Sequence, residues 1–408
     1  MNRLRSFRVD VTRQKSRLNS SLSGPTPSLT RKRQVGTSSL SDSSRSGLLR
    51  YHSLLDQSEP SSFQHIKNSV DQCFLDRAEL ASHIPKSVRT EIMTPMATVD
   101  SIHDPKTGTW QYIAADHNTL DAVIVDPVMD FDGATQTVST DTADRLVSLV
   151  KTKGYRILRI LETHVHADHV TAASYLQSIF ERDQGSKPPV CIGSRIRDVQ
   201  QLFGPKYGVP AVELSSAFDQ LLEDDEVFSI GDLQAKVIHL PGHTPDHIGY
   251  MIGGDCPSLM ICLLGIADNY SKENVFCGDS VFNADLGTAR CDFPGGSSKA
   301  LYQSTRNLLS LPSHYKIWTG HDYPSPERQC PVPYMSVEDQ KQRNRYLRDD
   351  VSEQTFQEMR NERDACLGEP KLLHPSLQIN IRGGRLPKPS PQGEYFLRLP
   401  LRFGNVRC

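Results

Sequence analysis

With 408 residues, 37% of them hydrophobic and 23% charged, the chain can bury one large enzyme domain with flanking pieces. Its formal charge of −2 is unevenly spread: the first 50 residues hold 11 Lys and Arg against Asp10 and Asp42, and the remainder is acidic at −11. That acidic body argues against nucleic acid as a partner. The longest apolar run, 259–267, is roughly half of the ~20 residues a membrane-crossing helix needs, so no membrane span is expected.

Residues 1–65 are rich in Ser, Arg and Pro, poor in acids and without sustained periodicity, which reads as a disordered or removable leader. Within it Leu4, Phe7 and Val11 share one helical face, with Arg3, Arg5, Arg8 and Arg13 around them. This composition resembles a mitochondrial presequence; the alternative is a solvated basic tail on a cytoplasmic protein. Nine scattered cysteines, an odd number with no CxxC pair, fit a reduced intracellular protein without a disulfide framework or thiolate zinc knuckle. Residues 66–107 are expected to connect the leader to a main domain at 108–330, followed by a C-terminal extension at 331–408.

Along the main domain, TWQYIAA (109–115) and DAVIVDPV (121–128) predict strands, 139–153 a helix, YRILRILETH (155–164) a buried strand and 169–182 a second helix. PVCIG is a short strand and 195–203 a helix. LQAKVIHLPGH, HIGYMIG and NVFCGDSVF are strands, 297–310 a helix, and YKIWTGHDY a closing strand. Residues 255–274 interrupt what should be a hairpin and read as a surface insertion. The extension predicts a charged helix carrying Arg343, Arg345 and Arg348, a second helix around 352–366, then LLHPSLQINIRGG and a Pro/Gly-rich tail.

The chemistry concentrates in ETHVHADHVTAA (162–173), where His164, His166, Asp168 and His169 fall within six residues at a strand end. Burying such a set without partners would cost about several kcal/mol, so a metal is the economical reading. Three later stretches, each short, Gly-adjacent and just beyond a strand, add His243 (PGHTPDHIGY), Asp279 (FCGDSVF) and His321 (TGHDY). Ligands that converge from separate segments need a rigid scaffold, and strand ends provide one.

Together these motifs resemble the metallo-β-lactamase superfamily, over about residues 108–325, with His164, His166, Asp168 and His169 matching its HxHxDH signature. The resemblance implies an α/β fold, the αβ/βα four-layer sandwich, here with a C-terminal helical extension, and a metal site between the sheet edges. In a two-zinc hydrolase of that family His164, His166 and His243 would hold the first ion and Asp168, His169 and His321 the second. Asp279 would bridge them, and Asp168 and Asp279 are the carboxylates expected to take part in catalysis. Such an enzyme would open a lactam, lactone or thioester.

RCDF (290–293), ALYQS around Tyr302 and HDY (321–323) resemble the persulfide dioxygenase branch, which is related to glyoxalase II. That resemblance implies one Fe(II) on His164, His243 and Asp279, with the other histidines and Asp168 surrounding it. The implied reaction oxidises the outer sulfur of glutathione persulfide to sulfite and returns glutathione. Arg290 would receive a substrate carboxylate, and Tyr302 or Tyr323 would donate a hydrogen bond. The extension would cover the cleft or mediate a homodimer. A nuclease or non-catalytic relative is disfavoured by the acidic body and the complete ligand set.

Overall fold

The computed structural model describes residues 96–253 and 274–401; the leader at 1–65 and almost all of the insertion at 255–274 lie outside the described residues. In chain order the first half runs β1 (Ala97–Asp104), β2 (Thr109–Asp116), β3 (Asp121–Val125), β4 (Val128–Asp132), β5 (Thr137–Ser139), α1 (Asp141–Lys153), β6 (Arg156–Leu161), β7 (Val170–Thr171), α2 (Ala173–Gln184), β8 (Val190–Gly193), α3 (Ile196–Tyr207), α4 (Ala211–Ser215) and β9 (Gln220–Leu222). The second half runs β10 (Val227–Ile230), β11 (Leu233–His239), β12 (Ile248–Gly253), β13 (Asn274–Phe276), α5 (Ser298–Leu309), β14 (Lys316–Trp318), β15 (Tyr334–Ser336), α6 (Val337–Arg343), α7 (Glu353–Ala365) and α8 (Leu373–Asn380).

Two mixed six-stranded sheets result, ordered β1-β2-β3-β6-β8-β9 and β10-β11-β12-β13-β14-β15, with a small β5-β4-β7 sheet beside them. The period-two alternation of each strand assigns its faces. On β2, Trp110, Tyr112 and Ala114 join Val237, Tyr250, Phe276 and Trp318 of the second sheet in one core. Ile113 and Ala115, pointing the other way, pack with Leu146, Val150, Leu176 and Phe180 of α1 and α2. The outer face of the second sheet is covered by Leu301 and Leu308 of α5 and Phe356 of α7. Helix, sheet, sheet, helix is the sandwich the resemblance implies.

Several boundaries differ from expectation. The first sheet starts earlier than residue 108, because β1 pairs antiparallel with the whole of β2, Ala97 opposite Asp116 and Asp104 opposite Thr109. It is an edge strand with mostly half-buried side chains, so it carries little hydrophobic signal. The helix expected from 169 begins at Ala173, since Val170 and Thr171 pair with Met129 and Val128 of β4 instead. The charged helix ends at Arg343, leaving Arg345 and Arg348 beyond it. The hairpin inferred around the insertion is present, as β12 and β13 pair antiparallel. Among the described residues no helix is long and apolar enough to cross a membrane.

Candidate metal centre

All seven sequence-predicted ligands converge where strands of both sheets end. His164, His166, Asp168 and His169 occupy the loop between β6 and β7, while His243, Asp279 and His321 follow β11, β13 and β14. The two sheets are tied together at this end by main-chain bonds, Trp110 N–H to Gly320 O (2.8 Å), Asp322 N–H to Gly108 O (2.9 Å) and Ile248 N–H to Thr163 O (2.8 Å).

Two triads share one carboxylate. The ligand atoms of His164, His243 and Asp279 lie within 4.8 Å of one another, as do those of Asp168, Asp279 and His321, and those of His166, Asp168 and His169. Asp279 Oδ2 stands 3.9 Å from His164 Nε2, 3.6 Å from His243 Nε2 and 3.5 Å from His321 Nε2.

The hydrogen bonds around the cluster assign the imidazole tautomers. Thr163 Oγ1 spends its one proton on Asp126 Oδ2 (2.8 Å), so it accepts from His164 Nδ1–H (3.0 Å) and leaves His164 Nε2 with a lone pair. His243 Nδ1–H donates to the Arg290 carbonyl (2.7 Å), which frees its Nε2 in the same way. Tyr323 Oη donates to Thr107 O (3.1 Å) and accepts from His321 Nδ1–H (3.2 Å). His166 Nε2 sits between Asp126 Oδ1 at 3.1 Å and Glu162 Oε2 at 3.2 Å, so its Nδ1 is the nitrogen left for the cavity. Thr107 Oγ1 donates to Asp104 and Thr109 Oγ1 to Thr107, so Thr109 Oγ1 accepts from the Nδ1–H groups of His169 and His321 at 3.4 Å each.

The outcome is a set of buried atoms, His164 Nε2, His166 Nδ1, His169 Nε2 and Asp279 Oδ1, that make no hydrogen bond among the described residues. Buried polar groups without partners are expensive, and imidazoles whose second nitrogen is anchored by a carboxylate, hydroxyl or carbonyl are the arrangement metal ligands adopt. The residues therefore fit a divalent metal.

Charge is tuned accordingly. Burial, reinforced by neighbouring histidines, pushes His164, His169 and His247 below the usual imidazole range and keeps them neutral. His166 moves the other way: burial opposes protonation, but the Asp126 and Glu162 carboxylates hold it well above that range. His321 is raised to about 9, because the Asp279 and Asp168 carboxylates outweigh its burial. An imidazole raised in the folded state adds stability that is complete below its unfolded pKa near 6.5 and is lost as pH rises through about 9. The unfolding temperature of the chelator-treated protein is thus expected to fall from pH 6.5 to 9, and His321→Gln to flatten that slope; an unchanged slope in the variant would refute the assignment.

Three further residues belong to the cluster without having been expected there. Asp126 and Glu162 close β3 and β6 as buried carboxylates on His166, and a charge ending an apolar strand was the available signal. His247 stacks on His164 (centroids 4.6 Å, 21°) and accepts the Asp279 N–H at 3.0 Å, thereby holding the shared carboxylate from behind.

The three expected substrate residues are placed differently from one another. Tyr323 stacks on His321 and is 50% exposed, so its ring flanks the cluster. Arg290 offers no free guanidinium: it grips the Asp292 carboxylate with Nε and Nη2 and donates Nη1 to Gly368 O (2.9 Å), and it touches the centre through the main-chain carbonyl that orients His243. Helix α7 supports this segment, since Cys291 N–H donates to Asp364 Oδ2 (2.8 Å) and buried Arg360 pairs with Asp364. Tyr302 is not brought to the cluster; it faces outward from α5, with its hydroxyl on Val351 O (3.0 Å) and its ring against Phe356. Helical phase explains the difference, because Leu301 takes the inward position beside Gly242.

Residues 108–255 match the metallo-beta-lactamase superfamily model. The chain is 38% identical over 307 residues to a probable metallo-hydrolase of Burkholderia pseudomallei, covering 74% of this chain and 99% of that protein. It is 37% identical over 314 residues to a beta-lactamase hydrolase-like protein of Xylella fastidiosa, covering 77% of this chain and 66% of the relative's length. The mitochondrial persulfide dioxygenase ETHE1 of Bos taurus is 28% identical over 221 residues, 54% of this chain and 66% of that protein. The crystal structure of ETHE1 from Myxococcus xanthus superposes with a TM-score of 0.51 over 71% of this chain and all of that one, at 24% identity, a likeness of fold.

Proposed function

The chain belongs to the metallo-beta-lactamase superfamily, and on that premise we propose that it is a metal-dependent enzyme of the persulfide dioxygenase type, acting on glutathione persulfide at a single Fe(II). The observation that carries this reading is the His164, His243, Asp279 triad. Two imidazoles and one carboxylate converge on one side, and such a face leaves positions open for a sulfur ligand and dioxygen. Identity to ETHE1 of Bos taurus supports the same choice.

A ferrous ion held there would supply the redox chemistry that dioxygen needs. In the balanced reaction four electrons pass from the outer sulfur to one O2, water cleaves the S–S bond, and sulfite and glutathione thiol leave. The chain's own groups hold and orient. Thr163 and the Arg290 carbonyl keep the protons of His164 and His243 on Nδ1, away from the cavity. Tyr323, whose hydroxyl burial and the nearby Asp168 and Asp279 carboxylates hold well above the usual phenol range, stays protonated and steadies His321.

A specific observation favours a second reading, a dinuclear zinc hydrolase opening a lactam, lactone or thioester. Asp279 is shared with the Asp168 and His321 triad, as a bridging carboxylate would be, and a relative at 38% identity is named a probable metallo-hydrolase. Metal analysis of anaerobically purified protein, paired with oxygen uptake on glutathione persulfide, decides between them. About one iron per chain with uptake is expected; about two zincs, no uptake and cleavage of a thioester or lactam would overturn the proposal. In the same assay Asp168→Ala is expected to leave the metal content at about one per chain, whereas loss of about half the metal would identify a dinuclear site.

A further inference from the structure

The C-terminal helix α8 reaches the metal loop through one side chain. Asn380, 3% exposed, donates both hydrogens of Nδ2, to His166 O and to His169 O at 2.8 Å each, and accepts Thr171 N–H on Oδ1 at 2.9 Å. All three bonds go to the backbone of the segment that carries His166, Asp168 and His169. They span 209 to 214 residues of sequence and use the amide's full donor capacity. The geometry fits this task closely: an amide offers two donors and an acceptor in one plane, so a single residue fixes two carbonyls and an N–H that no regular ladder satisfies.

We propose that Asn380 is a positioning residue for the metal centre. It sets the backbone on which the HxHxDH imidazoles stand, so that the extension beyond residue 330 forms part of the metal site instead of only covering it. The neighbouring Gln378 supplies an internal control. It lies on the same helix, is 2% exposed and makes the same number of side-chain bonds, donating to His374 O (2.9 Å) and Arg398 O (2.8 Å) and accepting Arg398 N–H (2.8 Å). None of those touches the ligand loop. Each variant loses three side-chain hydrogen bonds, buried for Asn380 and part-buried for Gln378, so both are expected to lose fold stability, and only one of them disturbs the metal ligands.

The test uses Co(II) as the probe on the full chain, read by chelator competition and by the visible ligand-field spectrum, with thermal unfolding measured alongside. Asn380→Leu is expected to weaken Co(II) binding by about 10- to 100-fold, as loss of an outer ligand support does elsewhere, and to change the spectrum. Gln378→Leu is expected to lower the unfolding temperature similarly while Co(II) affinity stays within about threefold and the spectrum is unchanged. Asn380→Asp, which keeps the bond from Thr171 and loses those to the two carbonyls, repeats the measurement should the leucine variant not fold. Unchanged affinity and spectrum in the Asn380 variants, or an equal loss in Gln378→Leu, would overturn the inference. The inference rests on the cluster binding a metal, and not on the persulfide reaction: a parent chain that binds no Co(II) would refute the site itself, a result distinct from equal binding by parent and variant.

Discussion

Replacing Asp279 with alanine is expected to weaken metal binding by more than about 100-fold, beyond the 10- to 100-fold that loss of an outer support costs, and to abolish turnover with it. Asp279 is the one ligand common to the His164/His243 triad and the Asp168/His321 triad, with Oδ2 within 3.9 Å of three imidazole nitrogens. Without it the first triad has no anion to offset a dication, and in a two-metal arrangement the bridge is gone as well. Asp279→Asn separates charge from volume: it keeps the shape and an acceptor, so loss of metal in both variants assigns the effect to the carboxylate's charge. The substitution has a second consequence. With one of its two carboxylate neighbours removed, His321 loses part of what raises it to about 9, and the metal-free protein loses part of its stability decline between pH 6.5 and 9. Chelator competition and unfolding against pH measure the two effects; affinity within about threefold of the parent would refute the role of Asp279.

Gly320→Ala is expected to do comparable damage from a position that contributes no ligand. A Cβ there would overlap Asp279 Oδ1 and stand 2.9 Å from the carbonyl carbon and 3.0 Å from the carbonyl oxygen of Gly278. Gly320 cannot move aside, since its N–H is bound to Gly278 O (2.7 Å) and its carbonyl accepts from Trp110 N–H (2.8 Å). Overpacking of this kind costs about 1–3 kcal/mol, and the softest response, rotation of the Asp279 carboxylate, removes it from both triads. A loss of at least about 10-fold in metal affinity is expected together with that destabilisation. Gly368→Ala, where an added Cβ meets nothing within 4 Å, should stay within about 0.5 kcal/mol of the parent and keep its affinity. Equal behaviour of the two variants would sink the explanation.

Much of the site was legible because its signal is local. Four candidate ligands lie in one six-residue stretch, each remaining candidate follows an apolar strand by a few residues, and a buried cluster of that composition has few other uses. The central strands were legible for a similar reason: β2 and β3 are buried on both faces, and β6 is buried at its C-terminal end. The elements that were missed have weak or misleading local patterns. Edge strand β1 mixes polar and apolar residues without a clean period of two, and most of its side chains are only half-buried. Helix α2 begins later than the local pattern predicts, because the β-branched Val170 and Thr171 favour a strand and pair with β4. For Tyr302 and Arg290 the motif carries no information on helical phase or on the local carboxylate that occupies a guanidinium.

The identity and order of the candidate ligands are legible in the sequence itself, because residue chemistry and spacing along one strand end are properties of a few neighbouring positions. Which nitrogen of each imidazole faces the cavity was decided only in the tertiary structure. That choice depends on partners brought from elsewhere in the chain, Asp126 for His166, the Arg290 carbonyl for His243 and Thr109 for His321. The same holds for the extension, whose Asn380 gives no local sign of its role and acquires one only when folding sets α8 against the ligand loop, where three main-chain groups require exactly the donors and acceptor that an amide carries.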